Sequence, residues 1–490
     1  MPETLFSTLR EAASGLEDNN FLLTPAGISM TYGKFYELTA KYAHALKSQG
    51  IGKGDRVLSK TIKSIESLAL YMSCLQRGAV FIPVNPLCTK DELSYLITDS
   101  EPAMVVLDPD EVAGDHIRSE TIGPSGSLSL LANDLPPLED ISLSGSSDTA
   151  VILYTSGTTG LPKGVMISHR ALITNGLALN RTWGFEQSDV LLHALPMFHV
   201  HGLFVAMHCA MLSAAKVIFL ERFSVSEVIK NLRSSTVFMG VPTYYIRLLS
   251  AADFSQNICK GMRLFTSGSA PMTEQTHSLF IERTGHRILE RYGMTEAGII
   301  TSNPLTGDRI PGSVGFALPG VDMRVRDGMQ ICKSGEIGVV EVSGDHMFSG
   351  YWRKENETSQ AFSDDGFLVT GDIGVIDSDG RLRLKGRSTD LIISGGENIY
   401  PREIERHLDD VDCIRESAVI GISDEDLGEA VVAVIAPNGS FNESEVRDYI
   451  KDKVANFKRP RRYILIDELP RNSMGKVQKS KLRDAYNGQS

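Results

Sequence analysis

Small polar residues and a single lysine are concentrated in the stretch YTSGTTGLPKGV, residues 154–165, which lies between two apolar runs. Glycines allow backbone N–H groups to approach a phosphate closely, and serine and threonine hydroxyls supply further hydrogen-bond donors. Lys163 adds a positive charge. The P-loop patterns GxxxxGKS and GxxxxGKT do not occur here. The stretch therefore predicts a polyphosphate-binding loop of a different type, and a flexible surface loop is the alternative.

The composition is that of a large α/β protein with an acidic surface. A chain of 490 residues predicts more than one domain. Hydrophobic residues make up 42% of it, which is enough to bury a large core. The formal net charge of −12 argues against a nucleic-acid partner, because an acidic surface repels phosphate backbones. The six cysteines form no CxxC pair, so we expect reduced thiols and neither a zinc ribbon nor a disulfide framework.

No part of the sequence has the character of a membrane span or of a secretory signal. No run approaches the roughly 18 apolar residues that would cross a bilayer. The first 20 residues are acidic and have no apolar core of signal-peptide length. We therefore expect no membrane partner and a cytoplasmic location, while an organelle form with a cleaved leader is the alternative.

Apolar strand patterns alternate with helical patterns over roughly the first 310 residues, which predicts parallel sheets with ligands at the carboxyl ends of the strands. Further along, RLRLKGR follows the turn VIDSDG and predicts a hairpin. The serine-rich segment 125–147 predicts an exposed linker. The predicted fold class is α/β, with stacked parallel-rich sheets and a small β-barrel-like part in a large N-terminal domain (residues 1–388). A small, mobile α+β C-terminal domain (residues 389–490) completes the chain.

Further motifs follow the glycine-rich loop in a fixed order along the chain. They are RYGMTEAG (291–298), TGD (370–372), GRSTDLIISGGENIYPREIE (386–405) and NSMGKVQK (472–479). Together with the loop they resemble the adenylate-forming superfamily of acyl-CoA synthetases, adenylation domains and luciferases. Such enzymes convert a carboxylate and ATP into an acyl-adenylate and diphosphate, and a thiol, usually CoA, then takes the acyl group. The resemblance implies ATP and CoA as co-substrates and Mg²⁺ as the metal ion.

This resemblance assigns a nucleotide site. Thr295 would contact the α-phosphate, and Glu296 would ligate Mg²⁺, a hard cation that prefers oxygen ligands. Asp372 would accept hydrogen bonds from the ribose hydroxyls, with Arg387 beside it. The predicted phosphate-binding residues are Thr155, Ser156, Gly157, Thr158, Thr159, Gly160 and Lys163, and the predicted adenine-site residues are Gly268, Ser269, Ala270, Glu290, Arg291, Tyr292 and Gly293. Tyr292 would stack on the base, and an ordinary core tyrosine is the alternative.

Lys476 stands on a glycine-containing loop and is predicted to be catalytic. By resemblance it reaches from the small domain to the attacking carboxylate and the α-phosphate during adenylation. The small domain would then rotate near Thr389–Asp390 and present Gly395, Gly396 and Glu397 to the pantetheine arm of CoA. Family members often carry lysine or aspartate where this chain has Thr389, so the hinge residue stays open. Because Lys476 is predicted to be exposed, a lysine acetyltransferase is a predicted partner.

The acid pocket is predicted near FHVHG and GVPTYYIRLL. His199 and His201 in FHVHG favour a pocket wall over a metal site, because no third ligand stands at suitable spacing. Pro242 predicts a helix start, which places Thr243 and Arg247 on one face. An arginine pointing into the pocket would bind a second carboxylate with two parallel hydrogen bonds. From spacing alone, an exposed helix arginine is an equally good interpretation.

The segments FHVHGLF, MGVPTYYIRLL, LFTSGSAP and LPRNSMGKVQK are similar to malonate-activating members of the superfamily. That similarity implies that Arg247 binds the distal carboxylate of a small dicarboxylic acid, that Met294 limits the depth of the pocket, and that Ser267 lines it. The predicted reaction is malonate, ATP and CoA to malonyl-CoA, AMP and diphosphate. The alternatives are a ligase for methylmalonate, a medium-chain or an aryl carboxylate, and a nucleotide-binding protein without enzymatic activity.

Overall fold

The structure is a computed structural model that describes residues 4–112, 117–155, 161–395, 397–424, 427–472 and 475–487. Strands and helices alternate in its first part, as the sequence pattern predicts. In chain order these elements are α1 (Leu5–Ala12), β1 (Asn20–Leu23), β2 (Ser29–Thr31), α2 (Tyr32–Ser48), β3 (Arg56–Lys60), α3 (Ile65–Arg77), β4 (Val80–Pro83), α4 (Lys90–Ser100), β5 (Met104–Leu107), β6 (Ser119–Thr121), α5 (Ser127–Asp134) and β7 (Thr149–Thr155).

The alternation continues to about residue 317. The elements are β8 (Lys163–Ser168), α6 (His169–Trp183), β9 (Val190–His193), a π-helix (Val200–Met207), α7 (His208–Leu212), β10 (Lys216–Phe219), α8 (Val225–Leu232), β11 (Val237–Gly240), α9 (Pro242–Leu249), α10 (Gln256–Cys259), β12 (Leu264–Ser267), α11 (Glu274–Thr284), β13 (Leu289–Met294), β14 (Gly298–Ser302) and β15 (Phe316–Ala317). Pro242 occupies the first turn of α9, as predicted.

The last third of the chain is richer in antiparallel strands. Its elements are β16 (Asp322–Asp327), β17 (Gln330–Ile331), β18 (Ile337–Ser343), β19 (Gly350–Tyr351), α12 (Glu355–Gln360), β20 (Leu368–Ile376), β21 (Leu382–Arg387), a 3₁₀ turn (Ser388–Asp390), β22 (Ile392–Ser394), β23 (Glu397–Ile399), α13 (Pro401–Asp409), β24 (Ile414–Asp424), β25 (Gly428–Pro437), α14 (Glu443–Lys451), a 3₁₀ turn (Asn456–Lys458), β26 (Arg462–Leu465) and α15 (Lys479–Tyr486).

Two parallel-rich sheets form the large part of the molecule. The first has the strand order β15-β14-β13-β12-β11-β9-β10-β1-β2, and the pairs from β13 to β1 are parallel. The second has the order β19-β8-β7-β4-β3-β5-β6. Helix α6 contacts β8 of the second sheet and β14 of the first, and its buried Trp183 donates a hydrogen bond to the Ser302 hydroxyl at 2.9 Å. The sheets therefore share a core, and the predicted parallel-rich α/β fold is confirmed.

Two smaller sheets follow in the chain. An antiparallel sheet, β17-β16-β18-β20-β21, contains the predicted hairpin between β20 and β21. The last sheet, β23-β22-β25-β24 with β26 on β25, is covered by α13, α14 and α15 and has apolar clusters of its own. A separate small C-terminal unit is therefore present. Within the described ranges, no helix combines the length and hydrophobicity needed to cross a bilayer.

The predicted linker at 125–147 is wrong for part of its length. Residues 127–134 form helix α5, which buries Leu128 and Ala132 against α2. The Ser129 and Tyr42 hydroxyls are 2.7 Å apart across this contact. Leu128, Leu131 and Ala132 follow helical spacing, but the serines between them hide the pattern in the composition.

Candidate active site

The carboxyl ends of the parallel strands meet at one edge of the first sheet. β9 ends at His193, β11 at Gly240, β12 at Ser267 and β13 at Met294. In open α/β sheets, ligands bind in the crevice outside these strand ends. The predicted acid-binding and nucleotide-binding residues follow several of these ends, so the candidate site is built at this edge.

Antiparallel strands hold the two ends of the predicted phosphate loop. Thr155 closes β7, Lys163 opens β8, and the two residues are paired across the strands. The Lys163 ammonium lies 5.1 Å from the centre of the Tyr351 ring. The residues between, Ser156, Gly157, Thr158, Thr159 and Gly160, lie outside the described part of the chain.

Glu296 is buried and held by an aromatic hydroxyl. The Tyr351 hydroxyl donates to Glu296 Oε1 at 3.0 Å, and the Phe348 amide donates to the Glu296 carbonyl at 2.7 Å. Burial and the adjacent Glu296 charge raise the pKa of Tyr351, which keeps its hydroxyl protonated as a donor. Thr295 precedes Glu296 in the same turn and is half-buried. Glu296 is therefore a buried, hydrogen-bonded carboxylate.

Tyr351 is a site residue that sequence reasoning missed. It contacts Glu296 through its hydroxyl and Lys163 through its ring. It stands 55 residues beyond Glu296 in the sequence, in the segment FSGYW. No motif marks it, and only the pairing of β19 with β8 brings it to the site.

Asp372 is held from two sides in the interior. The Tyr292 hydroxyl donates to Asp372 Oδ2 at 2.6 Å, and Arg387 Nε donates to Oδ1 at 2.9 Å. Burial, followed by the charge of Asp372, raises the pKa of Tyr292. The two donors fix the orientation of both carboxylate oxygens, and the binding of a ribose by Asp372 stays a prediction. Tyr292 is largely buried in this arrangement, and its predicted stacking on adenine stays a prediction.

Lys476 enters the nucleotide region from the C-terminal unit. Lys476 is exposed overall, but the protein atoms that surround its ammonium lower its pKa; the Arg387 guanidinium adds to that shift, and the carboxylates of Asp372 and Asp390 oppose it. Its backbone N–H donates to Asn472 Oδ1 at 3.0 Å. The adjoining Gly475 has φ +75° and lies so close to α9 that a Cβ there would be 3.2 Å from the Thr243 side chain. Arg387 and Asp372 are paired, and Lys476 lies within the reach of their charges.

Arg291 and Gly268 lie against each other across strands β12 and β13. A Cβ on Gly268 would be 2.3 Å from the Arg291 Cζ, so a larger residue there would have to displace this guanidinium. Ser269 follows with φ +70°, a left-handed conformation that is uncommon for a non-glycine residue and typical of binding sites. Ala270 is half-buried. The predicted adenine segment is therefore shaped by the side chain beneath it.

Other predicted adenine-site residues have structural partners. Glu290 is buried and accepts from the Gly312 amide at 3.2 Å, and its Oε1 is 2.9 Å from His277 Nε2. Gly293 lies in a close approach to β14, where a Cβ would be 2.1 Å from the Gly298 carbonyl oxygen. Both residues therefore support the site's backbone, and direct contact of either with adenine stays a prediction.

A buried group of polar side chains lies beside Arg291. Arg291 is 5% exposed and His201 is 1% exposed. Within the described residues, Arg291 Nε and Nη2, both ring nitrogens of His201, and Ser267 Oγ have no hydrogen-bond partner. Burial, with the Arg291 charge adding to it, lowers the pKa of the half-buried His199 to about 4. A buried cation with free donors is costly unless an anion binds there.

Arg247 occupies a different place from Arg291. It is exposed and lines a cavity of about 230 Å³ together with Thr243, Tyr244 and Gly475. This cavity lies between α9 and the loop that carries Lys476. Arg247 is thus exposed at the mouth of this cavity, which is one of the two interpretations that its spacing allows, and its binding of a distal carboxylate, which the resemblance implies, stays a prediction. Met294 is half-buried at the end of β13.

The residues predicted to line the CoA channel lie on an exposed hairpin. Gly395 and Glu397 are both exposed where β22 turns into β23, and Gly396 lies outside the described residues. Gly395 has φ +59° and its amide donates to the Leu427 carbonyl at 2.8 Å.

Two parallel-rich sheets with a separate small C-terminal unit form the fold of the adenylate-forming enzymes. The family described as AMP-binding enzyme matches residues 9–352, and the family described as AMP-binding enzyme C-terminal domain matches residues 403–476. The chain belongs to the AMP-binding enzyme family.

Similar proteins within this family activate different acids. A mitochondrial malonate–CoA ligase of Mus musculus is 34% identical over 92% of this chain and 86% of its own length. A long-chain-fatty-acid–CoA ligase of Mycobacterium tuberculosis is 33% identical over 94% of this chain and 93% of its own length. The crystal structure of ATP-bound MatB from Rhodopseudomonas palustris superposes with a TM-score of 0.97, at 42% identity, and covers 100% of both chains.

Proposed function

We propose that the protein is an ATP-dependent malonate–CoA ligase. It converts malonate, ATP and CoA into malonyl-CoA, AMP and diphosphate through a malonyl-adenylate. The similarity to a malonate–CoA ligase and to MatB supports this reaction. The observation that carries the choice of acid is the buried Arg291 guanidinium with free donors beside Ser267 and His201. A fatty acid would leave that charge uncompensated, whereas the distal carboxylate of malonate would neutralise it.

The first half-reaction brings two negative groups together. A carboxylate oxygen of the acid attacks the α-phosphorus of ATP, and diphosphate leaves. Lys476 and Arg387 place positive charge where these groups meet, which reduces their repulsion and holds the attack in line. Asp372 would hold the ribose through its two oriented oxygens. Thr295 would contact the α-phosphate, and Thr155 and Lys163 would flank the residues that bind the outer phosphates.

The buried Glu296 fits a Mg²⁺ site that is completed by phosphate oxygens. One of its oxygens already accepts from Tyr351. In the described residues no group of three or more His, Cys, Asp or Glu is arranged to hold a metal ion. Mg²⁺ commonly uses one or two carboxylates together with substrate phosphates and water, so a lone carboxylate is what such a site needs. When bound, the ion would neutralise phosphate charge.

The second half-reaction transfers the acyl group to the CoA thiol. We infer that the boundary near residue 388 separates two domains, and that the small domain rotates there between the half-reactions. On the near side, Ser388 Oγ donates to the Gly371 carbonyl at 2.9 Å. On the far side, Arg483 donates to Asp390 Oδ1 at 2.8 Å. These contacts support a pivot between Ser388 and Asp390, after which the exposed Gly395 and Glu397 would meet the pantetheine arm.

Two further assignments remain predictions from the sequence. A lysine acetyltransferase is a proposed partner, because Lys476 is exposed and acetylation would remove the charge on which adenylation depends. A cytoplasmic location is the other.

The acid panel is the experiment that tests the proposed reaction. Diphosphate release is measured with purified protein, ATP, CoA and each acid in turn, at matched concentrations. We expect malonate to give the highest kcat/KM and methylmalonate a lower one, because its extra methyl group must fit near Met294. Octanoate or coumarate exceeding malonate by about tenfold, a difference of about 1.4 kcal/mol, would overturn the choice of acid. AMP formation with none of the acids would favour a nucleotide-binding protein without activity.

A further inference from the structure

Lys63 is a buried lysine without a carboxylate partner. It lies between β3 and α3 and is 8% exposed. Its Nζ is 2.5 Å from His193 Nδ1 and 2.9 Å from the His193 carbonyl oxygen, and it lies 4.5 Å from the centre of the Phe219 ring. No ion pair involves it within the described ranges, and its one charged neighbour, Glu221, is exposed. Lysines are seldom buried in this way without a specific role.

His193 contacts both Lys63 and the π-helix through its two ring nitrogens. The Gly202 carbonyl can only accept, so the ring proton of His193 is on Nε2 and Nδ1 is an acceptor. Burial lowers the pKa of Lys63, but its amine has N–H donors in either protonation state, so Lys63 donates to Nδ1. His193 Nε2 then donates to the Gly202 carbonyl oxygen at 2.9 Å. Burial, with the Lys63 charge adding to it, lowers the pKa of His193 well below its usual value, so the ring stays neutral and keeps this donor and acceptor arrangement.

Gly202 lies in the first turn of the π-helix, directly after His201. A Cβ on Gly202 would be 1.8 Å from the Pro196 carbonyl oxygen, so this turn is packed backbone against backbone. Pro196 lines the cavity that also contains Arg247. π-helical turns occur frequently at functional sites. The contact of His193 with the Gly202 carbonyl therefore holds the backbone turn that carries His201 and packs against Pro196.

We propose that Lys63 is a positioning residue for the acid pocket, which acts through the hydrogen-bonded chain Lys63–His193–Gly202. It touches no substrate itself. Because the proposed chain ends at the acid side of the site, it controls the binding of the acid and leaves the binding of ATP unchanged. The inference rests on the proposed function only in that the pocket takes an acid, whichever acid that is.

The test compares Lys63→Met with Lys60→Met. Lys60 is a matched control, because it is also buried, lies on β3 and pairs with Glu111 instead of with the acid pocket. Both variants are assayed with the acid that the wild-type protein uses best. For Lys63→Met we expect the KM of the acid to rise about tenfold, the size expected for a lost buried hydrogen bond, with the KM of ATP and kcat changed less than about twofold. Equal rises in both KM values, or the same pattern in Lys60→Met, would overturn the proposal.

A second variant tests the chain itself. His193→Leu loses both the ring acceptor for Lys63 and the ring donor to the Gly202 carbonyl, so it should raise the KM of the acid in the same selective way, and it serves alone if Lys63→Met does not fold. In the double variant the two effects should not multiply, because both changes break one chain. A double variant whose KM is the product of the two single effects would contradict the chain. Malonate failing in the acid panel would overturn the proposed acid but not this result.

Discussion

Replacing Lys476 by alanine is expected to lower the rate of acyl-adenylate formation about 10²- to 10³-fold, the loss typical for a group that stabilises developing charge. The structure places Lys476 close enough to Arg387 and Asp372 for their charges to affect its pKa. Thioester formation from supplied malonyl-adenylate should change little, because that step needs the other orientation of the small domain. ATP–diphosphate exchange measures the first step and CoA consumption measures the second.

A matched control and a chemical variant sharpen this prediction. Lys481 is an exposed lysine on α15, and Lys481→Ala should leave both half-reactions unchanged. Acetylation of Lys476, verified by mass spectrometry, should reproduce the loss seen with alanine, because both remove the positive charge. Equal losses in the two half-reactions would contradict a role confined to adenylation.

Arg291→Met is expected to reduce kcat/KM for malonate about 30-fold or more, since truncating one partner of a buried, hydrogen-bonded charge pair costs roughly 2–5 kcal/mol. Turnover of propionate, which has no distal carboxylate, should fall far less. The variant should fold as stably as the wild type or better, because it removes a buried cation whose donors have no partner among the described residues. Steady-state kinetics with both acids and thermal unfolding measure the three effects.

The variant Arg247→Met distinguishes the contribution of Arg247 to malonate turnover from that of Arg291. Arg247 is exposed at the mouth of the cleft, so its removal should cost malonate turnover clearly less than the removal of the buried Arg291. A larger loss from Arg247→Met would place the distal carboxylate at Arg247, as the resemblance to malonate-activating enzymes implies, and would contradict the assignment to Arg291.

Much of the architecture could be predicted because it depends on local signals. Pro242 marks the first turn of α9, and the turn before β21 marks a hairpin. The order of the motifs predicts the family. The serine-rich composition predicted an exposed linker where α5 forms, because the serines mask the helical spacing of Leu128 and Ala132.

The parts of the site that could not be predicted depend on contacts between distant segments. Arg291 belongs to the motif LERY, and in the sequence it looks like part of the nucleotide site. Its guanidinium is buried against Gly268, which the pairing of β12 with β13 brings next to it. Tyr351 and Glu296 are 55 residues apart, and Lys63 and His193 are 130 residues apart. No local pattern encodes such pairs.

The most direct measurement compares malonate with its monomethyl ester in wild-type ATP–diphosphate exchange. The ester keeps the carboxylate that attacks the α-phosphorus and replaces only the distal charge. If the buried Arg291 guanidinium binds that charge, kcat/KM for malonate should exceed that for the ester by about 30-fold or more. Equal values for the two acids would contradict a pocket built for a second carboxylate.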